Sequence, residues 1–511
     1  MRTRAAFFGR VDPEVYRRNP FRVADLPVHA TARDIRRRAE ELRVKARLGA
    51  DAGTGSALLP LDPPPDPDAV QEALQRLRDP LRRLEDELFW FWPAHNAAVR
   101  GARDEALEAL GEGRIEDAER LWTEPAPGRA AAVAAHNLAV LAHARALEAG
   151  SGDVRDLWEP ALRHWRTVLD TDPFWDLVAA RVREADDPRL GPGTAGELRE
   201  RLPAALMATA AQAAVREYRD GRAERARTLS FLMDHVGFDD ATVDTALRDA
   251  VAPETDRLQA LARSAVDRAG ASPDTGCDEA ARVLAEAEPV LDGLGAVLPP
   301  DEPLLEGLRD EIAERVQQCA IIYGNETRDW SKPEGILKRA EALAATATIK
   351  TRIQKNLDTA EDNLLYGTCW FCDERPADDG AVYEKKMYGD VTREYSGYGI
   401  QIRWRKLAAP VPRCTACAAA HRGRGRTVAL AGGLGCAGGL ALAVVLIAAG
   451  APFVVPFGLF FLTIIGFFVA VAMGNVDGLP RKAHATVGAW PPIREKLDAG
   501  WMFGEKPPNT N

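Results

Sequence analysis

The sequence is poor in the residues that usually assemble active sites. Eight histidines are scattered through 511 residues, and none stands near a cysteine or serine in a nucleophile pattern. There is no G-x-x-x-x-G-K-[ST] phosphate loop, no H-E-x-x-H metal pair and no G-x-S-x-G elbow. Acidic residues are plentiful but spread along polar helix faces, where they serve solubility and i,i+4 pairing. These absences argue against an enzyme. Aromatics make up only 7% of the chain, and Ala, Leu, Arg and Glu dominate, a helix-forming composition. A net charge of −10 argues against general affinity for nucleic acid. Residues Met1–Arg10 are too few and too charged for a secretory signal.

The most informative absence is local. Thr427 to Gly474 contains no charged residue at all. A bilayer core needs roughly 20 apolar residues of helix, so this run accommodates two spans. Gly450, Ala451 and Pro452 interrupt it, which divides it into Val428–Ala449 and Phe453–Met473 with a tight turn between them. The alternative, a buried hairpin of a soluble core, requires helices apolar on every face, which soluble helices seldom are. Arg403, Arg405, Lys406, Arg413, Arg422, Arg424 and Arg426 precede the run, and Arg481 and Lys482 follow it. The positive-inside bias then puts both flanks, and both termini, in the cytoplasm. Gly435 and Gly439 would let the two helices approach closely. Gly433, Gly435 and Gly438 satisfy G-x-G-x-x-G, but that fingerprint has meaning only between a strand and a helix of a βαβ unit.

Cysteine is scarce too, yet four of the seven fall in two C-x-x-C pairs, Cys369/Cys372 and Cys414/Cys417. Two residues between cysteines let one tight turn aim both sulfurs at a single ion, and four thiolates make the tetrahedral set that Zn²⁺ prefers. A single C-x-x-C is compatible with redox chemistry; two pairs favour metal. The segment between them reads as strands: Val382, Tyr383, Met387 and Tyr388 in one, and Ile400, Ile402 and Trp404 alternating with polar residues in another. This resembles a zinc ribbon. Four cysteines close the coordination shell, so the metal is expected to be structural. His421 is the one alternative ligand nearby. The basic edge of Lys385, Lys386, Arg403, Arg405 and Lys406 suits nucleic acid or anionic lipid, and the nearby apolar run favours the lipid bilayer.

At the other end, Asn19-Pro20-Phe21-Arg22-Val23 leads into Leu26-Pro27-Val28-His29-Ala30-Thr31. Thr31 and Asp34 have the spacing of a helix cap, and Ile35, Ala39 and Leu42 recur at helical spacing behind them. After a Pro/Gly-rich break, a second helix runs from Val70 through Leu77 to Asp79-Pro80. This arrangement resembles a J-domain. The resemblance implies a DnaK-type chaperone partner, engaged through a His-Pro-Asp between the helices. Here that linker reads Leu48-Gly49-Ala50-Asp51-Ala52-Gly53, so conventional stimulation of the chaperone is not expected. Phe89-Trp90-Phe91-Trp92-Pro93 closes the unit, as core packing or as an anchor for a partner.

Residues 94–365 read as helix after helix. Gly113-Arg114-Ile115-Glu116-Asp117-Ala118 recurs as Gly221-Arg222-Ala223-Glu224-Arg225-Ala226, and both resemble the inter-helix turn of tetratricopeptide pairs. Such pairs stack around a continuous core and leave a concave surface for partners. His136 and His143 read as packing residues. The expected fold is therefore mainly α: a J-like helical head (1–95), a helical-hairpin, tetratricopeptide-like body (96–365), a small β zinc ribbon (366–425), two transmembrane helices (427–474) and a cytoplasmic tail (475–511). The expected function is a scaffold or adaptor at the cytoplasmic membrane that holds protein partners through body and head. The alternative is a non-standard DnaJ-like co-chaperone of a DnaK-type chaperone.

Overall fold

The computed structural model describes residues 7–9, 11–47, 58–94, 104–300, 302–396, 399–449, 458, 461, 464–465 and 484–508. The described chain is mainly helical with one small sheet. It divides into two compact units, Met1–Ser264 with Arg282–Arg315 and Leu343–Thr346, and Ala265–Ala281 with Val316–Ala342 and Ala347–Asn511.

The first unit begins with α1 (Pro20–Ala24), α2 (Ala32–Arg47), α3 (Pro67–Arg76) and α4 (Pro80–Leu88). Their starts are written locally. Proline opens α1, α3 and α4, and Asn19, Asp66 and Asp79 accept the free N–H groups of the first turns. Thr31 and Asp34 cap α2 reciprocally: Thr31 N–H donates to Asp34 at 2.9 Å and Asp34 N–H to Thr31 Oγ1 at 3.3 Å. Asn19 also donates from Nδ2 to the Asp86 and Phe89 carbonyls, which ties the start of α1 to the end of α4.

There follow α5 (Glu105–Gly111), α6 (Ile115–Thr123), α7 (Gly128–Glu148), α8 (Val154–Asp170), α9 (Asp172–Glu184), α10 (Thr194–Arg219) and α11 (Ala223–His235). The repeated glycine tract makes the same turn twice. Gly113 and Gly221 both sit at φ +77°, a left-handed conformation that glycine adopts without strain. At each, the next N–H reaches back to close the helix end, Arg114 to the Ala109 carbonyl and Arg222 to the Glu217 carbonyl, both at 2.9 Å. α5 packs on α6 and α10 on α11 as helical hairpins.

Head and body helices share one core. Phe89, Trp90, Phe91 and Trp92 are buried. Asn137 of α7 accepts the Trp92 N–H at 2.9 Å and donates to the Trp92 carbonyl at 2.8 Å. His136 bonds the Leu88 carbonyl and stacks on Phe174 at 4.5 Å. His143 receives Trp165 Nε1–H and pairs with Tyr16 Oη, each at 3.1 Å. Burial pushes both imidazoles down, to about 4 for His136 and about 3 for His143, so both are neutral packing groups at pH 7. Glu87 is held between Arg83 and Arg181, and Arg83 donates onward to the Val28 and Ala30 carbonyls. Buried Arg22 pairs with Glu148 at the end of α7.

Among the described residues, the helix long and apolar enough to cross a membrane is α7 (mean hydropathy 1.2). Two-thirds of that window is buried inside the unit, so core packing accounts for its composition.

The second unit contains α15 (Ser331–Leu343), α16 (Ala347–Gly367), β1 (Tyr383–Ser396), β2 (Gly399–Val411), α17 (Thr415–Ala448), α18 (Pro491–Asp498) and β3 (Met502–Phe503). Here α12 (Asp240–Ala271), α13 (Gly276–Val297) and α14 (Pro303–Thr327) precede α15 in chain order. β1 and β2 pair antiparallel from Tyr383↔Val411 to Ser396↔Gly399, with a bulge between Gly389 and Thr392. β3 adds to the other edge of β1, giving the order β2-β1-β3. The tip of the expected hairpin turn, residues 397–398, lies outside the described residues, as does the head linker at 48–57.

The first expected span is helical in α17. Its apolar stretch Ala437–Ala448 leaves Leu440, Leu442, Val444, Val445 and Ile447 exposed. Of the second expected span only residues 458, 461, 464 and 465 are described; the rest lies outside.

Asn137→Ala should lower the stability of the first unit by about 2–4 kcal/mol, because it strands the buried N–H and carbonyl of Trp92. Denaturant titration followed by tryptophan fluorescence measures this. An unchanged midpoint would show that the seam is not held as described.

Candidate metal centre

Both cysteine pairs sit in turns whose backbone is fixed by hydrogen bonds. In the first, the Cys369 N–H donates to the Arg375 carbonyl and the Asp373 N–H to the Cys369 carbonyl, each at 2.9 Å. Asp373 closes the turn in the left-handed region at φ +55°, a conformation aspartate tolerates better than most residues. In the second, Cys414 is the N-cap of α17, its sulfur accepting the Cys417 N–H at 3.4 Å. The two turns are stitched together by Trp370 N–H to the Pro412 carbonyl at 3.0 Å and Asp378 N–H to the Arg413 carbonyl at 3.1 Å.

The sulfurs of Cys369, Cys372, Cys414 and Cys417 all lie within 4.8 Å of one another, and Cys372 Sγ is 4.0 Å from Cys414 Sγ. Metal–sulfur bonds of about 2.3 Å in a tetrahedron put sulfurs about 3.8 Å apart, so this set can hold one metal ion. Three of the four cysteines are buried. Burial opposes ionisation of Cys414, yet the Cys417 N–H and the neighbouring thiols outweigh it and bring Cys414 down to about 7. The partial positive charge of the α17 N-terminus acts in the same direction. Burial and the thiols of Cys414 and Cys369 push Cys417 upward. Cys414 and Cys417 are thus pushed in opposite directions, and a divalent cation, which binds thiolates, would remove that conflict.

The surroundings are apolar and tightly packed. Cys369, Phe371, Met387, Ala409, Val411, Cys414 and Cys417 form one buried core with Val487, Trp490 and Ile493 of the C-terminal tail. His421 lies beside this centre: its ring meets Phe371 edge-on at 4.8 Å, and its Nδ1 is 3.3 Å from Arg413 Nη1. It does not belong to the set that can hold the ion. Cys277 and Cys319 are buried elsewhere in the second unit, and burial raises both thiols, to about 12 and about 11.

In the tail the sequence allows a short helix from Pro491 and lets Trp501 rest at the membrane interface or dock on the ribbon; the burial of Val487, Trp490 and Ile493 beside the cysteines is not anticipated. Trp490 is 1% exposed, and Val487 and Ile493 are fully buried. β3 pairs with Met387 and Tyr388. Trp501 lies flat against Gly389, where a Cβ would come within 2.4 Å of the indole. Lys386 pairs with Glu505, and Trp404 Nε1–H donates to the Glu505 carbonyl at 3.1 Å. The available signal was compositional: the polar tail holds three large aromatics, Trp490, Trp501 and Phe503.

Comparison with family models, with curated proteins and with solved structures finds no match to this chain.

Purified protein should carry one metal ion per chain, measured by elemental analysis. Cys414→Ser or Cys369→Ser should reduce this well below one and expose Trp490, shifting its emission to the red. Full metal content in both variants would contradict a four-sulfur site.

Proposed function

We propose that the chain is a membrane-anchored cytoplasmic scaffold, whose head and helical body hold protein partners while a structural zinc ribbon fixes the membrane hairpin. The set of four cysteine sulfurs, which among the described residues does not include His421, supports zinc in a closed, non-catalytic shell. Cys414 starts the helix that continues into the apolar run. Residues 415–426 span about 18 Å at 1.5 Å each, which sets the ribbon close to the headgroups. The exposed Leu440, Leu442, Val444, Val445 and Ile447 suit hydrocarbon, and the flanking arginines suit the cytoplasmic face.

The observation that carries this reading is the tail. Segments on either side of the apolar run pack into one core, Cys414 and Cys417 before it, Val487, Trp490 and Ile493 after it. A chain that enters the bilayer from that core and returns to it crosses an even number of times, which supports two spans with both termini cytoplasmic. The basic ribbon edge, Lys385, Arg403, Arg405 and Lys406, then faces anionic lipid more readily than nucleic acid.

The partner-holding part rests on the helical hairpins of the first unit, whose surface carries an exposed phenylalanine, Phe231, beside His235 and Arg155. A second reading, a co-chaperone of a DnaK-type partner, has the helix order of the head in its favour. Short α1 precedes long α2, and α3 and α4 follow a linker. The missing His-Pro-Asp stands against it.

The test is photo-crosslinking of the intact chain in its native membrane from a benzophenone placed at Phe231. The scaffold reading expects a small, reproducible set of proteins. A DnaK-type chaperone in that set would favour the co-chaperone reading, and only lipid or abundant bystanders would contradict both.

A further inference from the structure

The four sulfurs of the metal centre are not equally placed. Cys369 is 0% exposed, and Cys414 and Cys417 are 4% each, whereas Cys372 is only half-buried. The residues that follow it, Asp373 to Pro376, are exposed, so this turn lies at the surface of the domain. The Cys372 sulfur has the Cys414 sulfur of the other turn 4.0 Å away. A disulfide holds its sulfurs about 2.05 Å apart, so bridging this pair asks for a closing movement of about 2 Å. Cys277 and Cys319, elsewhere in the same unit, are buried. One sulfur of the set is thus reachable from solvent and has a second, sheltered sulfur beside it.

We infer that the four-cysteine set is a redox-released clasp: a peroxide reaches Cys372, its sulfur is bridged to that of Cys414, and the tail comes away from the ribbon as the metal is lost. The chemistry balances with hydrogen peroxide as the one co-reactant. The Cys372 thiolate attacks a peroxide oxygen; the O–O bond breaks, a sulfenic acid forms and, with one proton, water leaves. The Cys414 thiolate then attacks the Cys372 sulfur; the S–O bond breaks, the S–S bond forms and, with a second proton, another water leaves. The two thiolates together lose two electrons, and one peroxide gains them. Two thiolates remain, too few for the four-coordinate shell of a structural site, so oxidation and metal release occur together. The effect reaches the tail because Val487, Trp490 and Ile493 pack in the same core as Cys369, Cys414 and Cys417. In a reducing compartment thiols reverse such a bridge, which suits a transient signal. The inference goes beyond the scaffold reading and rests on its metal site.

The test uses the full chain in detergent micelles, with its metal content measured first. A few equivalents of hydrogen peroxide should release the ion to a chromogenic chelator and shift tryptophan emission to the red as Trp490 is exposed. Mass spectrometry should find Cys372–Cys414 as the first disulfide, with Cys277 and Cys319 still reduced. Dithiothreitol with zinc should restore the starting state. Cys372→His keeps a ligand at this position, since three cysteines and one histidine also close a zinc shell, and it removes the sulfur that peroxide reaches. Release from this variant should be roughly tenfold slower than from wild type. A first disulfide between any other pair, equally fast release from the histidine variant, or metal held until Cys277 is also oxidised would each overturn the inference. If the histidine variant binds no metal, the disulfide mapping in wild type decides alone. An untreated chain without metal would remove the zinc reading and the clasp with it, whereas a loaded chain indifferent to peroxide removes only the clasp.

Discussion

The second unit depends on four sulfurs being brought within reach of one another by two turns that a pair of long strands keeps far apart in the chain. Cys369 and Cys372 arrive at the end of α16, and Cys414 and Cys417 at the start of α17. The strands between them provide one wall of the core, Met387, Ala409 and Val411, and the tail provides the other, Val487, Trp490 and Ile493. A sheet of two long strands and one of two residues has little core of its own. Small β units of this kind need a staple, and a metal held by four thiolates is a strong one. An ion held by the four sulfurs would give these walls a centre to pack around.

The first unit is built on the opposite principle. It has no metal-ligating cluster among its described residues, and its cohesion comes from aromatic and aliphatic burial threaded by a few hydrogen-bonded polar groups. His136, His143 and Glu87 each take partners from both head and body segments, and Asn137 of α7 holds the Trp92 backbone. Removing any of them leaves a buried donor or acceptor unmatched, so these residues fix the register of one set of helices on the other. The first four helices are consequently joined to the body through a shared core, with α4 and the Pro27–Ala30 turn committed to it through Arg83 and Arg181.

Much of this was legible where the physics is local. The cap of α2 is contained in Thr31 and Asp34, the hairpin turns in Gly113 and Gly221, and the metal set in two short turns of fixed spacing. Strand alternation around Trp404 gave β2 for the same reason, since neighbouring side chains alternate faces without regard to the rest of the chain. What was not legible is long-range. Nothing within a few residues of Trp490 indicates that its ring belongs beside Cys414, because the contact is made only after the chain has passed through the whole apolar run. The burial of Phe89–Trp92 was one of two readings, decided only by the partners Asn137 and His136 about 45 residues on. Composition alone misleads at α7, whose apolar character equals that of a membrane span yet is accounted for by burial among neighbouring helices.

The central claim is that one metal-clasped domain holds both ends of the apolar run on the same side of the bilayer. It is tested most directly by placing epitope tags at the N-terminus, after Asn511 and between Gly450 and Pro452, then probing intact and inverted membrane vesicles with antibody. The account predicts that both terminal tags are reached only from the cytoplasmic side and the central tag only from the opposite side. Terminal tags on opposite sides, or a central tag reached from the cytoplasmic side, would contradict it.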